Sequence, residues 1–381
     1  MGRKLRWLLP VLTGLAVAGC QTAGYLRQAV SGQLEILRLE RPVRKLMADA
    51  GTPPGLKEKF REVERLRQFA KAELALPIDG HYLRYADLHR RYVVWNVYAA
   101  PEFSLRPKAW WYPIVGRLVY HGYFSEAEAR RYADRLRQRG WDVYVEGVEA
   151  YSTLGWFKDP LLNTFIHERP TVLAETLFHE LAHQRLFVGS DTDFDEAFAT
   201  AVGEEGVRRW LAASGDPLAA GAYEQELARD DELMQLVMDC RRKLSALYRR
   251  AGLTRRRPGA ADGATQAAAT RREKERIIAE LRVGYARLRA RRGGDPAADR
   301  WFAGPLNNAQ LNAAATYYVW VPAFHRLLEQ HGGDLKKFYR AAAELARLPE
   351  AQRHRRLEAL LTSSAPSARP RDGADARRLP R

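Results

Sequence analysis

Cysteine is nearly absent from this 381-residue chain, which carries only Cys20 and Cys240. That excludes a disulfide scaffold, so stability must come from a buried core. Long apolar runs are missing too. The stretch from Leu8 to Ala18 falls well short of the ~20 residues a membrane-spanning helix needs. Internal repeats are absent, which excludes solenoid and propeller architectures.

What remains is the composition of an ordinary globular protein, 46% hydrophobic and 28% charged, with enough length for a substantial core. The net charge of +16 by itself admits nucleic acid, an anionic membrane or simple solubility as explanations. The N-terminus narrows the choice. Arg3, Lys4 and Arg6 precede the short apolar run, and Val17-Ala18-Gly19-Cys20 closes it with small residues before a cysteine. This pattern reads as an export signal over residues 1–19, and its end looks like a bacterial lipobox. Cleavage would leave Cys20 as a lipidated first residue, anchoring the chain to a membrane. Gln21 stands where an Asp would favour inner-membrane retention, which points to the periplasmic face of the outer membrane. Export also argues against a nucleic-acid partner. The arginines of 254–292 and of the tail are expected to be solvated, and Cys240 to be a small buried hydrophobe.

Along the chain, apolar spacing predicts a helix over Lys57 to Leu76, stopped by Pro77. Tyr82 to Tyr98 reads as a buried helix or strand. Val115 to Tyr120 is a strand candidate. Ser125 and Glu128 form a capping box that opens a helix running to about Arg139, and Asp142 to Val148 alternates like a second strand. Pro170 to Val188 is helical and apolar on nearly every face, which predicts burial. Helices follow over roughly Phe194 to Leu211 and Glu224 to Ala251. Residues 258–270 are expected to be a flexible break, and Arg271 to Arg292 a charged helix. The expected fold class is α+β and mostly helical: one domain over 20–361, an exposed helical insertion at about 254–292, and a disordered tail over 362–381.

The chemistry lies in the buried helix, at His179-Glu180-Leu181-Ala182-His183. Residues at i and i+4 share a helix face, so two imidazoles converge on one cation, and Glu180 beside them can reach a water on that cation. Zinc brings a water's pKa towards neutrality, and a carboxylate can then take its proton during attack on a carbonyl. A bare HExxH match is a weak signal by itself. Here, though, the motif sits in a buried helix, where two histidines and a glutamate are costly unless they share a task. A catalytic zinc has three protein ligands and one open position. A third histidine in the HExxHxxGxxH pattern is excluded, because Leu186 and Gly189 stand at its Gly and His positions. Glu196 is the favoured third ligand, since Thr200 and Gly203 give its helix face small side chains and allow close packing. Asp193, Asp195 and Glu204 are the alternatives. Glu175, one turn before His179, is a candidate to orient a ligand imidazole or hold a substrate amine, or merely to pair with Arg169 or Arg185. Tyr317, with Tyr318, Asn307 and Asn308 behind it, is a candidate to stabilise an oxyanion. Ala150 to Pro160 is a candidate substrate-binding edge or a packed turn.

With these residues in place, the chain resembles a family of predicted zinc aminopeptidases among proteobacterial lipoproteins, within the gluzincin class. The resemblance rests on Val94-Trp-Asn-Val-Tyr-Ala-Ala-Pro-Glu102, Tyr120-His-Gly-Tyr-Phe124, Ala150 to Pro160, Thr176 to Gln184 and Phe194-Asp-Glu-Ala-Phe-Ala199. In the last of these, Asp195 replaces the family's Asn. The resemblance implies a zincin-like core, one Zn2+ held by His179, His183 and Glu196, and a peptide substrate. It also implies aminopeptidase action, which no spacing in the chain distinguishes from endopeptidase action. A catalytically silent envelope lipoprotein is the competing reading, and the intact Glu180 speaks against it.

Overall fold

The computed structural model describes residues 24–112 except 26, 116–150, 158–252 and 261–362. The expected export signal, Cys20 and residues 363–381 lie outside the described residues, as does most of Ala150 to Pro160. In chain order the elements are α1 (24–39), β1 (Arg41–Pro42), α2 (Val43–Ala48), α3 (Pro54–Ala72), β2 (Arg84–Ala86), β3 (Val94–Pro101), β4 (Trp110–Tyr112), β5 (Gly116–Leu118) and β6 (Tyr120–Tyr123). Then come α4 (Glu126–Gln138), β7 (Trp141–Val148), β8 (Leu161–Leu162), α5 (Pro170–Arg185), α6 (Thr192–Ser214) and α7 (Pro217–Ala251). The chain continues through α8 (Ala261–Arg292), α9 (Pro296–Ala303), α10 (Asn308–Thr316), α11 (Val321–Gln330), α12 (Leu335–Ala346) and α13 (Glu350–Thr362). The fold is thus mostly helical with small sheets, an α+β arrangement. No helix among the described residues is long and apolar enough to cross a membrane.

The main sheet has the order β6-β3-β7, with β3 antiparallel to both neighbours. The strand expected over Val115 to Tyr120 falls largely on β5, which pairs with β4 in a separate two-stranded sheet; the strand that leads into α4 is β6, and β3, from earlier in the chain, lies between it and β7. Ser125 caps α4 by accepting from the Glu128 amide, and Gly140 takes φ +79° to turn the chain into β7. Strand alternation then divides the sheet's residues. Trp95, Val97, Ala99, Tyr123 and Val143 pack against Ala129, Ala133 and Leu136 of α4. Tyr98, Ala100, Tyr120 and Tyr144 face Ala309 and Ala313 of α10. Register sets Tyr120, Tyr98 and Tyr144 on one rung, with Gly122, Asn96 and Glu146 two residues along, on the next rung of the same face.

The helices α5, α6, α11 and α12 share a core in which Phe178, Phe194, Phe198, Phe324 and Phe338 are fully buried. Each such side chain stabilises the fold by about 1.5–3 kcal/mol on transfer grounds.

Three further expectations are corrected. The first long helix ends at Ala72, before Pro77, although Leu74 and Leu76 remain buried. The break expected over 258–270 has become helix from Ala261, because alanine has the highest intrinsic helix propensity and Thr270 is buried with its hydroxyl donating to the Gln266 carbonyl. Nor is α8 a merely exposed insertion. Ile277, Ile278, Leu281 and Tyr285 pack on Val237, Cys240, Leu244 and Tyr248 of α7. The buried Lys274 reaches Asp142 of β7 at 2.6 Å and ties this hairpin to the sheet. Cys240 is buried within that seam, as expected, and burial pushes its thiol up to about 12.

Candidate metal centre

Pro170 opens α5 with its fixed φ, and the helix presents Leu173, Ala174, Leu177, Phe178, Leu181 and Ala182 to the core. The return into α6 is held at both ends. Asp191 caps α6 by accepting from the Phe194 amide and pairs with Arg353 and His354, while the Val188 amide donates to Asp195. The two helices approach closely because glycine lines the contact. A Cβ on Gly203 would lie 3.2 Å from the Glu175 carbonyl oxygen and 3.6 Å from His179 Cβ. One on Gly206 would lie 2.5 Å from the Phe178 ring.

That approach brings one carboxylate to two imidazoles. His179 Nε2 is 3.3 Å from Glu196 Oε2, His183 Nε2 is 3.6 Å from the same oxygen, and the two Nε2 atoms are 3.2 Å apart. All three potential ligand atoms fall within 4.8 Å of one another. Burial alone would raise the Glu196 pKa, but hydrogen bonds to His179 and His183 outweigh it and hold the carboxyl at about 2. The spacing suits a tetrahedral ion. With bonds of about 2.0–2.1 Å, ligand atoms sit roughly 3.4 Å apart. Two imidazole nitrogens meeting nitrogen-to-nitrogen beside an ionised carboxylate form a donor set that fits a dication.

Glu180 lies beside this triad, and its carboxyl is pushed up to about 8 by burial, with Glu196 and Asp159 adding to the effect and His179 opposing it. Tyr317 follows the end of α10, its ring centroid 6.4 Å from that of His179, and burial followed by the Glu196 charge moves its hydroxyl well above the ordinary range.

The other candidates fall elsewhere. Asp195 accepts the Val188 amide, Asp193 hydrogen-bonds Thr316, and Glu204 takes His325 Nε2 at 2.8 Å. Glu175 accepts from the Tyr223 hydroxyl at 2.9 Å and lines a cavity of about 610 Å³ with Glu204, Asp230 and Asp231. Its suggested partners are engaged differently, Arg169 with Glu226 and Arg185 over the Tyr339 ring. Tyr318 hydrogen-bonds Asp231 in the same cavity. Asn308 is fully buried and spends its amide on the carbonyls of Pro101, Glu102 and Ser104, so it is a structural pin. Asn307 caps α10.

The sequence reading missed the sheet face. Tyr98 and Tyr317 each lie within electrostatic reach of both Glu196 and Glu146. Burial pushes the Glu146 carboxyl up to about 7, against hydrogen bonds from Tyr144 and Tyr98. The register of β3 against β7 puts this carboxylate on the site side, and no local motif signals it. Asp159, buried with His81 and bonded by Gln184 at 3.2 Å, was likewise unread.

Residues 24–357 match the model of a family described as "Putative aminopeptidase". No curated protein and no solved structure matches the chain.

Proposed function

The chain belongs to that family, and from this premise we propose that it is a zinc-dependent aminopeptidase with His179, His183 and Glu196 as metal ligands. The observation that carries the reading is the convergence of the three ligand atoms within 4.8 Å. Two neutral imidazoles and one carboxylate leave a dication with a net charge of +1 and one open position. When bound, zinc supplies Lewis acidity towards a water and a carbonyl oxygen. Glu180 is the general base: it accepts the proton of the attacking water and returns it to the departing amine nitrogen. The Tyr317 hydroxyl donates to the carbonyl oxygen as negative charge develops there, which requires the phenol to stay protonated, as its raised pKa favours.

We also propose that the exported chain is anchored through a lipid on Cys20 at the periplasmic face of the outer membrane. The basic leader and its small-residue end before Cys20 support this.

The test is metal analysis of the purified full chain beside its His179→Ala variant, with hydrolysis of free and N-acetylated peptides. One zinc per chain, lost in the variant, and cleavage confined to free N-termini are expected. Equal metal in both proteins would overturn the ligand set, and equal cleavage of acetylated peptides would replace aminopeptidase by endopeptidase action.

A further inference from the structure

Among the described residues, seven large hydrophobic side chains are exposed, and five of them gather at the N-terminal helix. Val30 (58% exposed), Leu34 and Leu39 lie on α1 itself. Leu83 sits at its far end, where the Leu83 carbonyl accepts the Val43 amide and Arg84 pairs with Glu40. Trp111, 72% exposed, stands on the β4–β5 hairpin beside the helix's first turn.

The contacts of both elements fix which way these side chains point. Tyr25 stacks on His121 at 4.0 Å and approaches Tyr112 at 6.1 Å. Gln28 bonds the Phe124 amide, Gly32 lies against the Phe124 ring and Glu35 pairs with Arg90. These positions turn inward, so helical spacing puts Arg27, Val30, Leu34 and Arg38 together on the outer face. On the hairpin, Trp110 donates to the Tyr132 hydroxyl and Tyr112 bonds His121, so strand alternation turns Trp111 the other way.

We propose that this face, Val30 and Leu34 of α1 with Trp111 of the hairpin, rests on an anionic phospholipid surface. The inference depends on the Cys20 anchor proposed above, and two further observations favour lipid as the occupant. Cys20 precedes Gly24 by so few residues that even an extended chain spans only about 14 Å. A helix tethered that closely lies within reach of the headgroups. Its outer face also combines apolar side chains with exposed Arg27 and Arg38, and Arg117 is exposed on the hairpin. Basic side chains flanking an interfacial tryptophan suit an anionic headgroup layer. The hairpin also touches the loop after the metal helix, the Arg117 amide donating to Ser190 Oγ at 3.1 Å.

The full chain, bearing its native N-terminus, is reconstituted into vesicles of phosphatidylethanolamine and phosphatidylglycerol. A thiol-reactive bimane is placed on Val30→Cys, Trp111→Cys or Leu218→Cys, the last on an exposed residue of α7. Brominated phospholipids should quench the first two at least twofold and leave the third unchanged. Equal quenching at all three, or none, overturns the proposal. Should Trp111→Cys misfold, Arg117→Cys reports on the same hairpin. Shielding of the Val30 label without vesicles, together with a dimer in detergent, would assign the face to a second copy and also overturn it. A mass measurement of the N-terminal peptide separates the two layers of the argument. An unmodified Cys20 on a chain that does not float with vesicles ends the anchor reading and this one together. An acylated, floating chain with unquenched labels ends this one alone.

Discussion

His179 Nε2 and His183 Nε2 lie 3.2 Å apart, with a carboxylate oxygen of Glu196 in contact with both. Without a cation, one of the two nitrogens must carry a proton directed at the other, or both lone pairs oppose each other. Zinc should therefore raise the unfolding temperature strongly. At a free-metal concentration 100 to 1,000 times Kd, the gain is about 2.7–4.1 kcal/mol. Scanning calorimetry of the chelated and zinc-loaded chains measures this, and His179→Ala should abolish the shift. A variant that keeps the full shift would remove His179 from the ligand set.

Glu180→Gln separates metal binding from chemistry. The amide is nearly isosteric but cannot accept a proton, so zinc content should be unchanged while turnover falls by about 10²–10⁴. Retention of normal turnover at full zinc loading would take Glu180 out of the mechanism.

The closeness of α5 and α6 is itself a requirement for the third ligand. A Cβ at Gly206 would meet the Phe178 ring at 2.5 Å and Leu74 at 2.9 Å. Gly206→Ala should cost about 1–3 kcal/mol through overpacking, measured by denaturant unfolding. Gly203→Ala presses on the Glu175 carbonyl and the His179 turn, and should weaken zinc affinity more than it weakens the fold. A Gly203→Ala chain with unaltered zinc affinity would show that the helices tolerate separation at this point.

Glu146 gives a pH-dependent prediction. Burial raises its folded-state pKa from 4.5 to about 7, so the fold favours the protonated carboxyl. The sign follows from linkage: the folded chain binds more protons between those values, so stability falls as pH rises from about 4.5 to 7 and the deficit persists above. Glu146→Gln removes that deficit. The variant should match the parent near pH 4.5 and exceed it by about 1–2 kcal/mol at pH 8, allowing for partial solvation. Parallel stability curves for the two proteins would show that the carboxyl is not held neutral by the fold.

Much of this arrangement was legible before the structure, and the reason is local. HExxH positions are fixed by helical geometry alone, and the small residues at 200 and 203 announced a close helix face. Glu196 was harder, since its place depends on the α5–α6 crossing, which Gly203 and Gly206 permit. Asn308 misled because a buried amide that holds three carbonyls looks in sequence like one that holds a substrate. Glu146 and the Tyr120–Tyr98–Tyr144 rung were invisible because strand register, a long-range property, brings them together.

Tyr317 offers the sharpest test of the site's chemistry. Its ring centroid lies 6.4 Å from that of His179, and burial, with the Glu196 and Glu146 charges adding to it, keeps its proton in place. A hydrogen bond that strengthens only as the carbonyl oxygen gains charge affects turnover and leaves ground-state binding alone. Tyr317→Phe removes the hydroxyl and keeps the ring that packs beside His179. Its kcat should fall by about 10²–10³ with KM and zinc content little changed. A rise in KM at constant kcat would instead make Tyr317 a wall of the substrate cleft. Loss of zinc would make it a support for the His179 imidazole.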